Sequence, residues 1–230
     1  LSLEALSRRE EEAFPRSVRV LAALVETLLP PLDSAAPVLI AGPGSRSITP
    51  DAVGPRSADH VIATRHLISR SPEFFASWRP VSVLAPGVLG QTGVETGEIV
   101  RGVLDHVRPR AVIAIDALAA GRLSRLVRTV QLADTGIVPG SGVNNARAAL
   151  DRQTLGVPVV SIGVPTVADG GSIAHEIACQ LGGAACLSQP FIITTRDIDR
   201  EVADTARLIG YAVNMALQHI SVEEIDLYLS

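Results

Sequence analysis

Apolar positions along this chain fall into two alternating rhythms. From Arg16 to Leu29, Val18, Leu21, Leu24, Val25 and Leu28 recur at helical spacing on one face, and Pro30-Pro31 then stops the helix. Short apolar runs follow at Val38 to Ala41, Val81 to Leu84, Ala111 to Ile115, Val127 to Leu132 and Val157 to Val164. Several are continuous rather than alternating, as in strands buried on both faces. Helical spacing returns between them, with Ile99, Val103 and Val107 on one side of Glu95 to Val107. A last helix over Asp197 to His219 carries Val202, Ala206, Ile209, Val213 and Leu217. Strand and helix taking turns predict a three-layer α/β domain with a largely parallel central sheet, whose crevice forms in the loops beyond the strand carboxyl ends.

Composition narrows the chemistry. A chain of 230 residues with 47% hydrophobic content fits one α/β domain spanning 1–230, and no repeat or low-complexity linker divides it. The net charge of −4, with both signs interspersed, offers no field to hold nucleic acid or an anionic membrane, so direct nucleic-acid binding is not expected. All 20 basic residues are arginine, which removes lysine nucleophiles, Schiff bases and a phosphate-loop lysine. Cys179 and Cys186 match neither a CxxC redox pair nor a zinc spacing and are expected to be small buried hydrophobes. No apolar run reaches the roughly 18 residues needed to cross a bilayer, and no signal-peptide core opens the chain, which reads as soluble and intracellular. The chain begins at Leu1 rather than methionine. Gly182-Gly183-Ala184-Ala185 reads as a tight connection between helical segments.

Two aspartates stand where such a domain places its chemistry. Asp51 opens a helix in Ser47-Ile48-Thr49-Pro50-Asp51, with Thr49 as the cap, Pro50 at the first helical position and the carboxylate facing the amides of the first turn. Asp116 closes the apolar run Ala111 to Ile115 at the edge of the core, where water is scarce and charge is penalised. Each is also explained as a local cap. If the fold brings them together, one can hold a proton while the other stays charged, which suits activating water and protonating a leaving amine.

Other motifs argue by exclusion. Gly42-Pro43-Gly44-Ser45-Arg46-Ser47 imitates a dinucleotide fingerprint, but Ser47 replaces the third glycine and no ribose-binding acid follows the second strand. Asp134-Thr135-Gly136 looks like the triplet of pepsin-type proteases, which are β-rich, so here it is read as shaping a loop. There is no G-x-S-x-G elbow, and the histidines show no recognised metal spacing; His66 is read as a helix-surface residue. The glycine-rich words around Gly87 and at Pro139-Gly140-Ser141-Gly142 make sharp turns whose backbone can approach a peptide closely, although ordinary tight turns use the same residues. No metal and no cofactor is expected.

Taken together, Ile48-Thr49-Pro50-Asp51-Ala52-Val53-Gly54-Pro55, Thr64-Arg65-His66-Leu67, Ala85-Pro86-Gly87-Val88, Gln91-Thr92-Gly93-Val94-Glu95-Thr96, Ile113-Ala114-Ile115-Asp116-Ala117-Leu118-Ala119, Asp134-Thr135-Gly136-Ile137, Pro139-Gly140-Ser141-Gly142-Val143 and Gly163-Val164-Pro165-Thr166-Val167 resemble, in order, the germination protease family of bacterial spores. Met215-Ala216-Leu217-Gln218-His219 resembles that family's final helix. The resemblance implies an atypical aspartic endopeptidase of the spore core that degrades small acid-soluble spore proteins, is made as a self-processing zymogen and assembles as a tetramer. It implies a fold similar to hydrogenase maturation proteases. The family's catalytic aspartates fall on Asp51 and Asp116. Because family substrates are cut beside a glutamate, an arginine could read that charge, and Arg46 and Arg65 are the candidates, with Gly87, Gly140 and Ser141 along the substrate backbone. Two departures stand out: Val138 occupies a position where the family commonly has histidine, and a long helical region after the Pro-Thr-Val word is missing, leaving a compact version. The rival readings are a metal-dependent protease of the same fold, with both aspartates as ligands, and a non-catalytic binding relative.

Overall fold

The order of elements follows the two rhythms of the sequence. A computed structural model describes residues 1–140, 148–183 and 191–230. In chain order it contains helices α1 (Glu4–Ser7) and α2 (Ala13–Leu28), strand β1 (Val38–Ala41), a 3-10 turn at Thr49–Asp51, helices α3 (Val53–Asp59), α4 (Arg65–Arg70) and α5 (Pro72–Phe75), and strand β2 (Val81–Leu84). Helices α6 (Leu89–Thr92) and α7 (Thr96–Val107) lead to β3 (Ala111–Ala120) and β4 (Gln131–Ala133), then α8 (Arg152–Leu155) and β5 (Val159–Asp169). Helix α9 (Gly170–Gln180), β6 (Ile192–Ile193), α10 (Ile198–Gln218) and α11 (Val222–Leu229) complete it.

The strands form one sheet in the order β2-β1-β3-β5-β4, with β6 also on β5. The β1–β2, β1–β3 and β3–β5 pairs are parallel; β4 and β6 run antiparallel to β5. This is the largely parallel sheet that the continuous apolar runs predict. Alternation along β3 sorts the two faces: Ile113 and Ile115 join α2, α3 and α10 residues in one core, while Val112 and Ala114 join Val100, Leu104 and Leu155 from α7 and α8 in the other. Three layers result.

On α10, Val202, Ala206, Ile209, Val213 and Leu217 are all buried, as their spacing predicts. The same helix carries a polar pin. Asn214 is buried; its Oδ1 accepts the Ile62 N–H at 2.9 Å and its Nδ2 donates to the His60 carbonyl at 2.8 Å, closing the end of α3 onto α10. Asn214→Leu leaves a donor and an acceptor unmet, so denaturant unfolding is expected to show a loss of about 2–4 kcal/mol.

Several expectations are corrected. The run Val127 to Leu132 forms a strand only from Gln131, because Val127 adopts a left-handed φ of 51° and gives its N–H to the Pro165 carbonyl. On α2, Ala22 is buried and Leu24 is exposed, and on α7 the fully packed positions are Val100 and Leu104 rather than Ile99, Val103 and Val107. Cys179 is exposed on α9; Cys186 lies outside the described residues. Gly182, at φ 75°, follows the end of α9, while Ala184 and Ala185 are outside the described residues.

Candidate active site

Strand order reverses at β1: β2 lies on one side of it and β3 on the other. In an open α/β sheet the loops leaving two such strands diverge and leave a crevice at their carboxyl ends. The segment that carries Asp51 leaves β1, and Asp116 lies on β3. Both therefore belong to the switch point.

Strand β1 stops at Ala41, opposite Ala114, whereas β3 continues to Ala120 beside β5. Asp116 is thus not at the end of its strand, as the sequence suggests, but within it, beyond the last residue of β1 and opposite Gly163. The loop after β1 folds back over the start of this gap, as far as Ile115, and leaves the space beside Ala117 to the crevice. Gly54, at the start of α3, lies so close to the loop that an added Cβ would collide with the carbonyl oxygens of Pro43 and Ile115. Backbone on backbone, this contact seats the Asp51 segment against the residue before Asp116. Thr166 of β5 fixes the segment from the other side, its Oγ1 donating to the Pro50 carbonyl at 2.6 Å.

Asp51 is half-buried and accepts the Ser45 N–H on Oδ2 at 2.7 Å. Ser45 Oγ lies 2.9 Å from Ser47 Oγ and accepts from Gln91 Nε2 at 3.0 Å, which ties the loop after β1 to α6. Thr49 does not cap as predicted. Its hydroxyl donates to Asp199 Oδ1 at 2.6 Å, so it anchors the 3-10 turn to the first turn of α10, and the regular helix starts two residues after Asp51.

Asp116 is 2% exposed, and the Gly140 N–H approaches its Oδ2 at 3.4 Å. Gly140, at φ 70°, lines a crevice of about 420 Å³ together with Asp51, Ile48, Val88, Ala117, Leu118, Thr166, Val167 and Ile192. Asp51 faces this space directly. Asp116 stands one residue behind its wall, next to Ala117 and bonded to Gly140. The structure therefore brings Asp51, Asp116 and Gly140 to one place.

Other predicted residues lie elsewhere. Arg46 forms a two-pronged ion pair with Asp59, at 2.5 and 2.8 Å, and that hydrogen bond raises its pKa. Arg65 is exposed, 3.5 Å from the His106 carbonyl. Neither lines the crevice, and no cation lines it among the described residues. Exposed ion pairs contribute little, about 0–1 kcal/mol, so Arg46→Ala is expected to leave the unfolding midpoint nearly unchanged and KM within about twofold. Gly87, at φ 77°, makes the turn after β2 and sits next to the lining residue Val88. Ser141 lies outside the described residues. Gly136, at φ 86° against the Leu150 carbonyl, shapes a loop, as read from Asp134-Thr135-Gly136. His66 is exposed on α4. Among the described residues no cluster of three or more acids, histidines or cysteines could hold a metal, and no helix is long and apolar enough to cross a membrane. Sequence reasoning missed Thr166 and Ser45 as supports, since neither differs in pattern from any loop or strand hydroxyl.

An acid pair at the switch point of an α/β sheet fits a hydrolase, and the comparisons with known proteins give the class: the chain is a peptidase. The family model described as germination protease matches residues 1–181. The germination protease of Caldanaerobacter subterraneus subsp. tengcongensis is 38% identical over 95% of this chain and 78% of its own length, and that of Clostridium acetobutylicum is 35% identical over 86% and 71%. The Bacillus subtilis germination protease is 52% identical over 60% of this chain and 38% of its own length. The chain belongs to the germination protease family. Among solved structures, the [NiFe] hydrogenase maturation protease HycI from Thermococcus kodakarensis matches over 83% of this chain and 98% of its own, at 16% identity and a TM-score of 0.41.

Proposed function

We propose that this peptidase is an aspartic-type endopeptidase that starts the degradation of small acid-soluble spore proteins in the spore core, with Asp51 and Asp116 working on one water molecule. The observation that carries the reading is the shared crevice: Asp51 lines it, and Gly140, which also lines it, is hydrogen-bonded to Asp116. Two carboxyl groups in one site hold a single proton between them over the working range and titrate as a pair. The ionised member takes a proton from water as the oxygen attacks the scissile carbonyl. The protonated member hydrogen-bonds to the carbonyl oxygen as negative charge develops there. Collapse of the tetrahedral intermediate breaks the C–N bond, and the proton taken from water passes to the leaving amine. Rate should follow a bell-shaped pH profile whose two limbs belong to the pair.

Substrate lying in the crevice would close its apolar walls over the pair, displacing bulk water and strengthening each charge interaction within it. By family likeness the reading extends to a homotetramer and to a precursor that removes its own N-terminal segment. Incubating the protein with a purified small acid-soluble spore protein, followed by mass spectrometry, is expected to show cleavage at a few defined bonds, unchanged by a chelator. Loss of cleavage on chelation would make the aspartates metal ligands instead. An intact substrate would make the chain a binding relative.

A further inference from the structure

Resting on that reading, the inference concerns how the substrate chain is held. In a parallel ladder, alternate residues point both backbone groups at the same neighbouring strand. On β3 the Val112 N–H donates to the Pro158 carbonyl, just before β5, so Ala114 and Asp116 also address β5 while Ile113, Ile115 and Ala117 address β1. Strand β1 ends at Ala41, and the next residue that could donate to β3 is Pro43, which has no N–H. The Ile115 carbonyl is covered by Gly54. Ala117 is the next residue outward. It is half-exposed, it lines the crevice, and no hydrogen bond is formed by its N–H or C=O with any residue outside the β3–β5 ladder among the described residues. After Leu118 the register with β5 shifts, so the alternation does not continue.

The geometry points to Ala117 as a docking edge: the substrate binds as an extended strand beside β3, in the lane that β1 leaves empty, with its backbone paired to the Ala117 N–H and C=O. The occupant is set by position, because a strand in that lane runs past Asp51 on the crevice wall and past Gly140, the donor to Asp116. Main-chain pairing of this kind gives affinity without sequence, and alternate side chains then meet the walls formed by Ile48, Val88, Leu118, Val167 and Ile192. It also selects conformation. A segment held in a helix has no free backbone groups to offer and is not cut. The glycine turn at Gly140 thus borders the lane, and the edge of β3 holds the chain.

The test is a backbone ester scan of a peptide spanning a cleavage site mapped by mass spectrometry. Each ester removes one substrate N–H and leaves its side chain in place. The expected result is one position, the donor to the Ala117 carbonyl, at which kcat/KM falls about tenfold or more, with both neighbouring positions within about twofold. Ala117→Pro, which deletes the edge N–H, should lower kcat/KM on the all-amide peptide by a similar factor and shrink the ester penalty; if that variant does not fold, the ester scan alone decides. A flat ester profile with cleavage still abolished in Asp51→Asn overturns the docking edge and leaves the catalytic reading standing. Undiminished cleavage by Asp51→Asn overturns both.

Discussion

Asp116→Asn is expected to lower turnover by about a thousandfold or more while leaving the protein folded. Asparagine has nearly the shape of aspartate, and its Oδ1 can still accept the Gly140 N–H that now reaches Asp116 Oδ2. What is lost is the ability to exchange a proton with water or with the leaving amine. Asp51→Asn should have a similar effect, since its Oδ1 can keep the Ser45 N–H. Single-turnover kinetics on a mapped peptide, with circular dichroism and the unfolding midpoint as fold controls, separate lost chemistry from lost structure. A variant with near wild-type turnover would remove that aspartate from the mechanism.

Gly54→Ala is expected to do comparable damage by another route. The added methyl group would meet the Pro43 and Ile115 carbonyl oxygens, and these are backbone atoms that cannot turn aside as a flexible side chain can. Overpacking of this kind costs about 3 kcal/mol, and relief requires α3 to move away from β3. Because the 3-10 turn with Asp51 is joined to α3, that movement carries Asp51 away from Asp116. Both the unfolding midpoint and kcat should therefore fall. A Gly54→Ala protein of normal stability and normal rate would show that the close seating of α3 on β3 does not set the geometry of the pair.

Much of the architecture was legible in the sequence because burial on both faces leaves a plain record. Val38–Ala41 is a continuous apolar word, buried throughout, and Val81–Leu84, apolar except for Ser82 and buried only at Val81, is marked by its β-branched residues; both are strands with those bounds. The face of α10 can be read directly from its spacing. The strand extension beyond Asp116 was not legible, because a charged residue inside an apolar run looks like its end, and only the pairing with β5 shows that the strand continues. The short helices were hidden for a similar reason. Helix α11 begins with a capping box between Ser221 and Glu224, but eight residues give too little periodicity to mark it against loop sequence.

At the site, the two aspartates were visible as residue types at loop edges, and family likeness singled them out. Their convergence was not visible, since it depends on Gly54 meeting the carbonyls of Pro43 and Ile115 and on Thr166 reaching the Pro50 carbonyl. The roles suggested for Arg46 and Arg65 came from charge matching alone. Asp59, thirteen residues from Arg46 in the chain, engages that guanidinium, and spacing gives no sign of it.

The central claim is that the carboxyl groups of Asp51 and Asp116 act as one unit on one water. The measurement that bears on it most directly is a double-mutant cycle: cleavage rates of a small acid-soluble spore protein by the wild type, Asp51→Asn, Asp116→Asn and the double variant, with products identified by mass spectrometry. Groups that act together are lost together, so each single variant should be nearly as slow as the double. Two single losses that multiply in the double variant, or one single variant that cuts at the wild-type rate, would contradict the pair.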